Sequence, residues 1–108
     1  MRVFIADNDS EVVDYLKQIV KDLGHDAVGC TDSKTFTEIL LREAFDLVIL
    51  DWNIRAADEM SLLEWMNKTL VTRPPVIVMA NRSAKRDIAD ALNAGADDYI
   101  TKPESRNI

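Results

Sequence analysis

Phe45 Asp46 Leu47 Val48 Ile49 Leu50 Asp51 Trp52 Asn53 is the stretch that decides how this chain folds. Its four aliphatic residues, Leu47 to Leu50, carry no charge, which marks a strand buried on both faces, as at the centre of a parallel sheet. The run ends on an acid. Ligands of open α/β sheets gather at the carboxyl ends of the strands, so Asp51 stands where chemistry would be done, although an Asp in that place also serves as an ordinary turn residue.

Outward from this strand, apolar runs and amphipathic stretches alternate. Arg2 to Ala6 forms a short apolar strand that runs into the polar turn Asp7 Asn8 Asp9 Ser10. With Ser10 as N-cap, Val12, Val13, Leu16, Ile19, Val20 and Leu23 recur at helical spacing, and Gly24 stops the helix. Ala27 to Cys30 gives a second strand, and Asp32 or Ser33 caps a helix with Phe36, Ile39 and Leu40 inward. After the loop Arg55 to Glu59, a third helix carries Leu62, Leu63, Met66 and Leu70 until Arg73 Pro74 Pro75 breaks it. Val76 to Ala80 is another uniformly apolar strand. Ser83 caps a fourth helix with Ile88, Ala91 and Leu92 inward, Gly95 ends it, and a last strand from Asp98 to Thr101 leads to Lys102 Pro103. Right-handed crossovers turn this alternation into a doubly wound α/β fold: one domain over residues 1–108, five parallel strands and four helices.

Composition narrows the function. One cysteine, Cys30, allows no internal disulfide, and one histidine, His25, leaves a zinc site without ligands. No signal peptide or membrane span is evident, so a cytoplasmic protein is expected. A formal net charge of −6 without a basic stripe argues against nucleic-acid binding by this domain. The three glycines are far apart and form no phosphate loop.

Three strand ends carry charge: Asp7, Asp51 and Lys102. A doubly wound sheet brings them to one edge. Two carboxylates about 4 Å apart repel by about 4 kcal/mol at an effective dielectric of about 20, so the pair calls for a cation, and Mg²⁺ suits such oxygen donors.

The order of elements, the acidic turn at Asp7, the run Asp46 to Asp51, and Ala94 Gly95 Ala96 Asp97 Asp98 Tyr99 Ile100 Thr101 Lys102 Pro103 together resemble the receiver domain of bacterial two-component response regulators. The resemblance covers essentially the whole chain and implies a flavodoxin-like sheet of strand order 2-1-3-4-5. It implies that Asp51 accepts a phosphoryl group from a histidine kinase or phosphotransfer protein, and that Lys102 pairs with the phosphoryl oxygens. It further implies that Asp7, Asp51, the neighbouring Asn8 and the Asn53 carbonyl hold Mg²⁺, with Asp9 as a second candidate, and that Tyr99 is the switch aromatic. The Lys102–Pro103 peptide is expected to be cis.

Four departures qualify these expectations. Asn8 replaces a second acid, so metal binding weaker than usual is expected. Ala80 lacks the hydroxyl that couples phosphate to Tyr99 in the family; Asn81 and Ser83 are the nearby substitutes, and Arg82 stands where the family tunes hydrolysis. Arg55 and Glu59 occupy usual Pro and Gly positions. The fifth helix is absent or truncated: either the chain is cut from a longer protein, or a second copy or a partner helix covers the sheet face left open. Two functions follow: a phosphorylation switch that is not otherwise an enzyme, or a phosphorylation-independent pseudo-receiver that serves as an interaction module.

Overall fold

The computed structural model describes residues 1–81 and 84–102. Strands β1 (Arg2–Ala6), β2 (Asp26–Cys30), β3 (Leu47–Asp51), β4 (Val76–Ala80) and β5 (Asp98–Thr101) alternate with helices α1 (Ser10–Asp22), α2 (Ser33–Arg42), α3 (Leu62–Thr69) and α4 (Lys85–Asn93). All strand pairs are parallel, in the order β2-β1-β3-β4-β5. The flavodoxin-like arrangement expected from the resemblance is the one observed. Among the described residues no helix is long and apolar enough to cross a membrane.

Side chains alternate across the sheet and divide the core in two. Val3, Ile5, Ile49 and Met79 face α1 and meet Val12, Val13 and Val20. Phe4, Val48, Leu50, Val76 and Val78 face the opposite way and pack on Phe36, Leu40, Leu62, Leu63, Met66 and Ala91. Phe4 stacks between Phe36 and Phe45 with ring centroids 5.2 and 4.7 Å apart. Gly29 on β2 lets α1 lie close: a Cβ there would collide with the Val13 side chain and come within 3.0 Å of Lys17 Cδ.

Several local expectations are corrected. The N-cap of α1 is Asp9, not Ser10: Asp9 Oδ1 accepts from the Glu11 amide at 2.9 Å, and Ser10 is the first helical residue. Leu92 is 43% exposed on α4, because Ala91 rather than Leu92 meets the sheet and Ile88 is only half-buried. Ile19 and Leu23 continue the apolar period of α1 but are exposed, since nothing among the described residues covers that flank. Asp32 caps α2. Ala84 takes the N-cap position of α4 without a side-chain bond; Arg82 and Ser83 lie outside the described residues, as do Pro103, its peptide with Lys102, and the residues after it, on which the expectation of an absent or truncated fifth helix falls.

Strand β5 is exposed at all four residues. It is one of the two edge strands, and Ile100, paired with Met79, faces the α1 side, where among the described residues no helix lies over it.

Candidate functional site

Three loops converge at the carboxyl edge of the sheet. Asp7, one residue past β1, is fully buried; Asp51, the last residue of β3, is 1% exposed. Lys102 follows β5 and is tied to β4 through its amide, which donates to the Ala80 carbonyl at 2.8 Å. Its Nζ lies 2.9 Å from Asp7 Oδ2 and 3.1 Å from Asp51 Oδ2. One ammonium therefore bridges two buried carboxylates.

The two acids are held alike. Asp7 Oδ1 accepts from the amide of Asp9 at 2.9 Å, and Asp51 Oδ1 accepts from the amide of Asn53 at 3.1 Å. Each carboxylate thus closes an Asx turn with one oxygen and turns the other toward Lys102. Among the described residues neither Oδ2 has a well-directed hydrogen-bond donor; the lysine charge is their partner. Burial pushes the Asp7 carboxyl above its ordinary range, against the Asp9 amide and Lys102, and the Asp51 charge adds to the rise. Burial works against the Lys102 charge, but the close contact with Asp7 and the charges of both acids outweigh it and hold its ammonium above the ordinary lysine value.

A hard divalent cation fits this donor set. Two buried carboxylates present oxygens without directed donors, and such oxygens suit Mg²⁺. Asn8 and Asn53 are exposed beside them, and among the described residues neither side chain is hydrogen-bonded. Asp9, the second candidate, is engaged elsewhere, its carboxylate capping α1. Among the described residues no group of three or more acidic, histidine or cysteine side chains gathers.

Ala80 is buried at the end of β4. Asn81 is exposed and its carbonyl accepts from Ala84. Tyr99 is 40% exposed on β5. The loop after Asp51 folds into a small hairpin, with Arg55 bridging to Ser61, Glu59 at φ 66°, and the Arg55 guanidinium 5.0 Å from the Trp52 ring. Ser61 caps α3, its hydroxyl accepting from the Glu64 amide and donating to the Glu64 carboxylate, both at 3.1 Å; Ser followed three residues on by Glu is the sequence signal of such a helix start.

The family model for the response regulator receiver domain matches residues 3–108. The transcriptional regulatory protein PhoP of Escherichia coli is 31% identical over 103 residues, covering 95% of this chain and 46% of that protein. The chain therefore spans about half the length of the curated relatives it matches. Among solved structures, the Francisella response regulator 1452 receiver domain has a TM-score of 0.82 at 27% identity, covering 94% of this chain and 84% of the other. A CheY-like response regulator receiver domain protein from Methanospirillum hungatei has a TM-score of 0.79 at 27% identity, covering 98% and 85%.

Proposed function

From the premise that this chain belongs to the response regulator receiver domain family of two-component signalling, we propose that it is a phosphorylation switch whose acceptor is Asp51. The observation that carries the proposal is the Lys102 ammonium shared between Asp7 and Asp51 at 2.9 and 3.1 Å. A lysine so placed beside a buried acid is suited to charge that develops on transferring phosphoryl oxygens, and positioned charge is the main means of accelerating phosphoryl transfer.

A carboxylate oxygen of Asp51 attacks the phosphorus of a phosphohistidine; the P–O bond forms as the P–N bond breaks, and the leaving imidazole takes up a proton. Asp7, Asp51, Asn8 and the Asn53 carbonyl are the residues that would hold Mg²⁺. When bound, the ion supplies neutralising charge to the acid pair and to the transferring oxygens. The Asx turns through Asp9 and Asn53 fix how both carboxylates are presented, and Lys102 orients the incoming group. A histidine kinase or phosphotransfer protein is the donor on this reading, and the compartment is the cytoplasm.

One observation favours a second reading. Ala80 is buried without a hydroxyl at the end of β4, and among the described residues two acids line the site, which suits a pseudo-receiver that works by contact alone. Intact-mass measurement after incubation with Mg²⁺ and acetyl phosphate separates the two. The switch requires a phosphoryl adduct that disappears in Asp51→Asn. No adduct with any donor or metal would establish the pseudo-receiver instead.

A further inference from the structure

Lys102 follows the shortest and most exposed of the five strands. β5 is four residues long, exposed throughout and paired only with β4. Short exposed edge strands specify their register poorly, and a slip of one residue would carry every side chain to the other face. Yet the ammonium must meet two fixed oxygens.

At the opposite end of β5 a single guanidinium gathers four partners. Arg73 donates through Nε to Asn67 Oδ1 at 2.7 Å, through Nη1 to the Pro74 carbonyl and to Asp97 Oδ2, both at 3.0 Å, and through Nη2 to the Gly95 carbonyl. Asn67 in turn donates to the Ala94 carbonyl at 2.8 Å. Asp97 Oδ2 also accepts from the Val76 amide at 2.8 Å, while the Asp97 amide donates to the Val76 carbonyl at 3.0 Å. α3, the start of β4 and the start of β5 are thereby locked at one point.

We infer that Arg73 and Asp97 are positioning residues for Lys102, setting the register of β5 from about 16 Å along the strand. The inference rests on the proposed role of Lys102 in phosphoryl transfer, and it explains how an exposed edge strand delivers an ammonium to two buried carboxylates. The lock acts through the backbone: Asp97 ties the chain to Val76 one residue before the first pair of the ladder, Ile77 with Asp98, and the Lys102 amide on Ala80 closes its far end.

Two readouts test it. The first is reactivity of the Lys102 amine toward an acylating reagent, read by peptide mass spectrometry against Lys17. The second is the rate of adduct formation on Asp51 with acetyl phosphate and Mg²⁺. Asp97→Ala is expected to raise Lys102 labelling severalfold and to slow the adduct roughly tenfold, as small misplacements of reacting groups do. Asp97→Asn, which can still accept from Val76 and Arg73, is expected to restore most of both. In a Lys102→Ala background Asp97→Ala should change the rate no further, whereas a general loss of stability would slow both backgrounds alike. Arg73→Lys makes the same test with a milder change. Unchanged Lys102 labelling in Asp97→Ala and Arg73→Lys overturns the inference. Absence of any adduct in the native protein would sink the switch reading alone, since labelling still decides whether the lock positions the lysine.

Discussion

Lys102 and Asp51 meet at 3.1 Å across the edge of the sheet, and Asp7 draws the same ammonium from the other side at 2.9 Å. The lysine does for the metal-free site what a cation must do for any pair of buried carboxylates. Lys102→Ala is therefore expected to destabilise the metal-free fold by about 3 kcal/mol, the cost of leaving buried charge unpaired. Mg²⁺ should return part of that stability, and more of it than in the native protein. Urea denaturation with and without Mg²⁺ checks both; equal midpoint shifts in the two proteins would refute the substitution of one cation for the other.

Two acids respond to pH in opposite senses. The Val76 amide, and then Arg73, hold Asp97 below the ordinary carboxylate value of 3.8, so its contribution is complete above that value and is lost as pH falls through the lower folded value. Asp7 is raised, by burial first, so the fold gains from its protonation as pH falls from the folded value towards 3.8. Asp97→Asn should flatten the acid limb of stability measured without metal, and Asp7→Asn should remove the gain on mild acidification. Denaturation midpoints between pH 7 and pH 3 would read both.

Gly29 marks the closest approach of α1 to the sheet. Gly29→Ala is expected to cost about 1–3 kcal/mol through overpacking against Val13. Val13→Ala should be less harmful in the Gly29→Ala background than in the native one. A double-mutant cycle by thermal melting tests this coupling.

Glu59 occupies the left-handed region at φ 66°, where a side chain is strained and glycine is not. Glu59→Gly is expected to stabilise the hairpin after Asp51 by up to about 1 kcal/mol. Glu59→Ala, which keeps a Cβ, should not. Midpoints for the two variants, measured side by side, decide it.

The uncharged runs of β3 and β4 made the parallel sheet legible, because only strands buried on both faces can be apolar at every position. Asp51 and Asp7 were legible for a related reason, being abrupt charges at the ends of such runs. The cap of α1 was misjudged because Asp9 and Ser10 are adjacent and both able to cap; only the backbone decides between them. Leu92 looked inward because periodicity reports where apolar residues recur, not whether a surface waits for them. Strand order came from resemblance, as periodicity says nothing about which strands are neighbours. The union of Arg73 with Asp97 is invisible in the sequence, since a lone Arg and a lone Asp well apart along the chain carry no local signal.

The strand order also sets a sequence of events during synthesis. A chain emerging from its amino terminus completes β1, β2 and β3 first, and these three are contiguous in the sheet. Asp7 and Asp51 are therefore made and can be brought together while Lys102 is still unwritten, its strand the last and outermost. For that interval the acid pair lacks the ammonium that bridges it in the finished sheet, and a cation from the surrounding solution is a counter-charge open to it.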